Sequence, residues 1–218
     1  MIIIENLQKH YKEDLVLDIP KMIIKDSSIN CFTGKNGSGK TTLALLICGF
    51  IHQTEGFVMI DGKKNTSSTI RRNSHVVLEN GRGFYEYLTS IENIRYFLGI
   101  NKIKFKHASK KIYELVKAFK FSEHLDKKIN ELSQGNRQKL SIILALIISP
   151  KLLILDEPTN GLDDDAKKIL VANLLELKKK SIIIITTHDE QFIIALKATV
   201  FVIDNGNLIL ERKRLHDL

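Results

Sequence analysis

The chain has 218 residues and 24.8 kDa, with 33 Lys+Arg against 25 Asp+Glu, a formal net charge of +8 and 44% hydrophobic residues. That mix excludes a disordered or fibrous chain and gives enough length for one domain with a sizeable core. The charge fits an anionic partner, whether nucleotide, nucleic acid or acidic membrane surface, without choosing among them. Two cysteines, Cys31 and Cys48, cannot form a disulfide framework, no Cys/His cluster has zinc spacing, and a reducing compartment is expected. The start, Met1-Ile2-Ile3-Ile4-Glu5, lacks the basic region and long apolar run of a signal peptide. The longest apolar stretch, Leu140–Ile148, is about half a membrane span. The chain itself is therefore not expected to cross a membrane.

In chain order, Met1–Leu7, Leu15–Ile19 and Ile29–Thr33 read as short β-branched strands. A Gly-rich stretch, Gly34-Lys35-Asn36-Gly37-Ser38-Gly39-Lys40-Thr41-Thr42, runs into an apolar helical segment, Leu43–Ile51. Phe57–Ile60 followed by Asp61-Gly62 predicts a strand and turn, and His75–Leu78 another strand. From about Ser90 to Ser149 the apolar period is helical and the sequence is Lys-rich. Leu152–Leu155 is a buried strand by its continuous apolar run, and so is Ser181–Thr187. Between them Asp163–Lys180 is a helix, acidic at its start and Lys-rich at its end, matching the macrodipole. Val200–Ile203, Asn205-Gly206 and Leu208–Leu210 predict a terminal hairpin. Strands alternating with helices imply an α/β fold with a mostly parallel sheet covered on both faces. The expected division is an α/β core over 1–83 and 150–218, including an antiparallel β part, with a helical subdomain inserted over 84–149.

Gly34 to Thr41 fits G-x-x-x-x-G-K-[ST] between a predicted strand and a predicted helix. Glycines let the backbone wrap phosphates, so that N–H groups point inward and the helix N-terminus adds partial positive charge. Lys40 would then reach the β- and γ-phosphates, and the Thr41 hydroxyl would ligate Mg²⁺. The glycines do not follow the dinucleotide pattern G-x-G-x-x-G. Leu152-Leu153-Ile154-Leu155-Asp156-Glu157 places two carboxylates at the carboxyl end of an apolar strand, where α/β sheets bind ligands. Asp156 suits a magnesium ion held on phosphates, and Glu157 a water attacking the γ-phosphate. Without the loop upstream, the same pair would read equally well as a plain strand exit ahead of Pro158.

The order of motifs resembles the ATP-binding cassette (ABC) ATPases. Leu132-Ser133-Gln134-Gly135-Asn136 resembles their LSGGQ signature, Pro158-Thr159-Asn160-Gly161-Leu162-Asp163 their D-loop, His188 their switch histidine, and Tyr11 their adenine-stacking aromatic. The resemblance implies a P-loop NTPase core that hydrolyses Mg-ATP and dimerises head to tail, as a homodimer or heterodimer. It implies ATP held by Tyr11 and by the whole loop, Gly34, Lys35, Asn36, Gly37, Ser38, Gly39, Lys40, Thr41 and Thr42. Ser133, Gly135 and Asn136 would reach the γ-phosphate on the partner, although Ser133 also reads simply as a helix N-cap. Glu157, His188 and Lys40 would be catalytic, with Thr41 and Asp156 on the metal.

One departure matters. The family usually carries a glutamine on the loop after the phosphate site, and His75-Val76-Val77-Leu78-Glu79-Asn80-Gly81 holds none. Asn80 is the expected substitute metal ligand, judged by the later match of Tyr85 to Asn93, with Glu79 the alternative. Weak to moderate basal hydrolysis is expected. The resemblance further implies a separate transmembrane permease as partner, near Gly81–Ile94, and a place on the cytoplasmic face of the membrane. The short end after the hairpin leans toward export. A soluble ABC ATPase acting on nucleic acid or the ribosome is a competing reading, as is a weakly hydrolysing regulator. Against nucleic acid stand the single cassette, the absence of a coiled-coil run and the absence of aromatic-basic interleaving. The cargo is not written in this chain.

Overall fold

The computed structural model describes residues 1–212. The chain opens on a long hairpin, β1 (Ile2–Tyr11) and β2 (Asp14–Ile24), then β3 (Ile29–Thr33) and α1 (Lys40–Ile47). Next come β4 (Glu55–Ile60) and β5 (Lys63–Lys64), joined across Asp61 and Gly62, both at positive φ as a tight hairpin turn requires. A short α2 (Ser68–Arg72) leads to β6 (Ser74–Val77). Three helices follow: α3 (Ser90–Ile100), α4 (Phe105–Ala118) and α5 (Gln134–Ile148). The chain then alternates through β7 (Leu152–Asp156), α6 (Asp164–Leu177), β8 (Ile182–Thr186) and α7 (Glu190–Leu196). The hairpin β9 (Thr199–Asp204) and β10 (Asn207–Arg212) completes the order.

All ten strands join one sheet in the order β5-β4-β1-β2-β10-β9-β3-β8-β7-β6. The set β9-β3-β8-β7-β6 is parallel, whereas β1, β2, β4 and β5 pair antiparallel. Alternate residues of the central strands feed two cores. Cys31, Leu153, Leu155, Ile183 and Ile185 face the helices α3–α7, while Phe32, Leu152, Ile154, Ile182 and Ile184 face α1 and the antiparallel strands. Burial on both faces is why β7 and β8 read as unbroken apolar runs. The apolar residues of α3, α4 and α5 belong to the same continuous core as β7 and β8.

The register decides where the site forms. Phe32 lies beside Thr186, and Thr186 beside Asp156. The exits of β3, β7 and β8 therefore open side by side at one sheet edge.

Several boundaries differ from the sequence reading. α1 starts at Lys40 and stops at Ile47 rather than spanning Leu43–Ile51, because Gly49 takes a positive φ that turns the chain away. The helix expected over Asp163–Lys180 begins after its cap, Asp163, and tightens to a 3₁₀ turn over Lys178–Lys180. α2 and α7 escaped the periodicity reading, since five and seven residues are too short to show a helical repeat. Among the described residues no helix is long and apolar enough to cross a membrane.

Candidate functional site

Gly34 leaves β3 at φ 142, and a Cβ there would collide with the Ile203 carbonyl, so the loop can turn only with glycine. The loop wraps around the ammonium of Lys40, which is 8% exposed and donates to the Gly34 carbonyl at 2.9 Å and the Lys35 carbonyl at 2.8 Å. Among the described residues this ammonium makes no ion pair, which suits it to an incoming anion. The Ser38 hydroxyl in the same loop is buried without a partner among the described residues.

At the end of β7, Oδ1 of Asp156 accepts from the Thr41 hydroxyl at 2.9 Å and from the Thr186 hydroxyl. Glu157 follows at φ 44, a left-handed conformation rare for a residue with a side chain. Its amide donates to the Thr186 carbonyl at 3.0 Å, which fixes the turn. One carboxylate oxygen lies 3.2 Å from Nδ1 of His188, and the other is buried with no partner among the described residues. The His188 side chain is 74% exposed, whereas that of Glu157 is 15% exposed.

Lys40, Thr41, Asp156, Glu157 and His188 border a cavity of about 400 Å³ that also touches Asn36, Gly37, Gly39, Thr42, Val16 and Asn160, whereas Gly34, Lys35, Ser38 and Thr186 do not line it. Glu79 lines it as well, and its Oε1 accepts from Nδ2 of Asn160 at 3.0 Å. Asn80, expected as the metal ligand, is placed elsewhere. Its φ of 67 reverses the chain, and its side-chain oxygen accepts from Gln134 at the start of α5. It is Glu79 that occupies the cavity wall.

Tyr11, Ser133, Gly135 and Asn136 do not line this cavity. Tyr11 ends β1 half-exposed, with Nζ of Lys9 4.7 Å from its ring centre. Ser133 caps α5 by accepting from the Asn136 amide at 3.3 Å. The Asn136 side chain lies 3.1 Å from Nε2 of His124. Gly135 packs against the D-loop segment, where an added Cβ would sit 2.6 Å from the Gly161 carbonyl oxygen. Lys139 of α5 reaches Asp163 at 2.7 Å and joins the same two segments. Thr186 and Asn160 escaped the sequence reading as site residues. The one signal for Thr186 was a threonine pair ending an otherwise apolar strand.

A phosphate loop opening a helix, with a carboxylate pair and a histidine on the neighbouring strand exits of a parallel sheet, defines a P-loop NTPase. The family model described as "ABC transporter" matches residues 17–160. The "Uncharacterized ABC transporter ATP-binding protein YdbJ" of Bacillus subtilis (strain 168) is 34% identical over 212 residues, 95% of this chain and 68% of that protein. The "Sulfate/thiosulfate import ATP-binding protein CysA" of Mesostigma viride is 33% identical over 210 residues, 95% of this chain and 60% of that protein. A solved dimeric ATP-binding cassette in a post-hydrolysis state, bound to ADP and Pi, superposes with a TM-score of 0.88 at 25% identity, covering 100% of both chains. The chain belongs to the ABC transporter family. It spans 60% of the length of the first two curated relatives it matches.

Proposed function

We propose that this chain binds and hydrolyses ATP as one half of a head-to-tail dimer that powers a separate transmembrane permease. The observation that carries the reading is Glu157, which lines the phosphate-loop cavity from a strained turn and has one carboxylate oxygen unpartnered among the described residues. Glu157 takes a proton from the attacking water through that oxygen, while His188 holds the other oxygen and fixes the carboxylate's orientation. Lys40 exchanges its two loop carbonyls for phosphate oxygens, a charge-assisted contact stronger than the neutral ones it leaves.

The residues present fit Mg²⁺. Thr41, Asp156 and Glu79 offer hard oxygen donors at one cavity. Among the described residues no group of three or more His, Cys, Asp or Glu could hold a metal unaided, and an ion held by Thr41, Asp156 and Glu79 would complete its shell with phosphate oxygens and water. When bound, Mg²⁺ neutralises charge on the transferring phosphoryl group.

Ser133, Gly135 and Asn136 lie off this cavity, which supports their serving the nucleotide of a second subunit. The exposed Tyr87 and Tyr85 follow the Glu79 segment in the chain, Tyr85 packing edge-to-face on Tyr96 with ring centres 4.7 Å apart, and they suit contact with the permease. The dimer would sit on the cytoplasmic face of the membrane. The relative named for sulfate/thiosulfate import weighs against the export expected above, and we propose uptake.

Glu157→Gln provides the test. It should retain ATP binding, lose hydrolysis and accumulate an ATP-bound dimer, measured by nucleotide titration, phosphate release and light scattering. Wild-type turnover in that variant would refute the role of Glu157.

A further inference from the structure

Among the described residues the side chain of His188 is hydrogen-bonded only to Glu157, yet the backbone on either side of it is fixed. Thr187 before it is fully buried, and its hydroxyl accepts from the Asp189 amide at 3.1 Å. Asp189 after it caps α7, its Oδ1 accepting from the Phe192 amide at 3.0 Å. Its second oxygen is taken by Lys167 of α6 at 3.0 Å. That ion pair is partly sheltered, at 33% and 21% side-chain exposure, unlike the more exposed pairs elsewhere on α6 and α4. Burial pushes the Asp189 carboxyl up, but the Phe192 amide, Lys167 and His188 together hold it below the usual carboxylate range.

Lys167 lies one helical turn past Asp163, the residue that caps α6 and closes the D-loop segment. One turn of helix thus joins the D-loop segment to the residue following His188. We propose that Lys167 is a positioning residue for His188, acting through Asp189 and coupling the D-loop helix to the histidine. The proposal rests on the hydrolysis reading above. Lys167 touches neither the phosphate loop nor the carboxylate pair in any hydrogen bond or ion pair among the described residues. With the ion pair gone, the Asp189 carboxylate keeps its cap but loses its lateral restraint, and the turn that carries His188 is held less firmly while α7 stays in the core. Small misplacements of reacting groups cost rate far more than affinity.

The test uses the full chain with Lys167→Met, which keeps the apolar stem, and Lys167→Arg, which restores the cation. Lys167→Met should lower kcat for ATP by about tenfold or more with KM within about twofold, and Lys167→Arg should recover most of that loss. Independently, the imidazole signal of His188, assigned with His188→Ala in a ¹³C-histidine spectrum, should shift in Lys167→Met and return in Lys167→Arg. An unchanged kcat with an unmoved His188 signal overturns the proposal. So does a raised KM at unchanged kcat, or an arginine variant as defective as the methionine one. A wild-type chain with no turnover refutes the hydrolysis reading alone, and the His188 signal then decides the positioning claim by itself.

Discussion

Gly135→Ala sets two local effects against each other. Gly135 sits in the first turn of α5 with no positive φ, so helix propensity alone predicts that alanine stabilises by about 1 kcal/mol. Packing predicts the opposite. The new Cβ would lie 2.6 Å from the Gly161 carbonyl oxygen, against 3.4 Å or more for ordinary contact. The obstacle is backbone, so no side-chain rotation relieves it, and α5 must draw back from the D-loop segment by most of an ångström. Overpacking of this kind costs about 1–3 kcal/mol, leaving a net loss of about 1 kcal/mol. For a chain of this length that lowers Tm by about 2–4 °C. Gly99→Ala is the internal control: it is helical, lies in α3, and a Cβ added there would meet nothing within 4 Å. It should leave Tm unchanged or raise it. The assay is thermal unfolding of both variants without nucleotide, followed by ATP hydrolysis, which Gly135→Ala should lower while Gly99→Ala should not. A Tm for Gly135→Ala equal to or above wild type would refute the close approach of signature and D-loop.

Glu79→Gln should raise the Mg²⁺ needed for half-maximal ATP binding by roughly tenfold, the factor given by losing about 1–2 kcal/mol of charge attraction, whereas Asn80→Ala should not. An effect of Asn80→Ala equal to that of Glu79→Gln would reverse the assignment made from the cavity wall. The Asp163 carboxyl is held below its usual range by Lys139 first and then by the Ala166 amide. Its stabilisation is therefore full above the unfolded carboxylate pKa and fades as pH falls through the lower folded value. The Asp163 side chain is 53% exposed, so water screens the pair, and Asp163→Asn should cost no more than about 0.5 kcal/mol at neutral pH, with the Tm gap to wild type closing below about pH 4. Burial lowers His75 from 6.5 to about 4. The unfolded chain therefore takes up that proton first, and stability falls as pH drops from 6.5 toward 4, by roughly 1–3 kcal/mol. His75→Asn should flatten that limb in denaturant titrations at a series of pH values; an unchanged slope would show that His75 does not carry it.

The composition left open any anionic partner, and the motifs narrowed it because phosphate chemistry writes itself locally. A loop that wraps phosphate needs glycines and a lysine in consecutive positions. A buried parallel strand must be apolar throughout and can release carboxylates only at its end. Gly34–Thr42, Asp156 and Glu157 were legible for that reason, whereas His188 rested on the resemblance alone; the tertiary structure gathers Lys40, Thr41, Asp156, Glu157 and His188 at one cavity. The remaining features depend on pairings between distant segments, to which local pattern is blind. Thr186 meets Asp156 only because β7 and β8 run in register. Glu79, rather than Asn80, faces the cavity because the left-handed φ at Asn80 sends successive side chains in different directions. Gly135 reads as a helix opener until Gly161 is seen against it, and no local pattern marks Lys167 until α7 brings Asp189 within 3.0 Å. By itself the sequence determined which chemistry the chain carries, since that is set by residue type at short spacing. Only the tertiary structure decided which side chains share the cavity and which are turned away, since that is set by strand register, backbone handedness and the close packing of loops far apart in the chain.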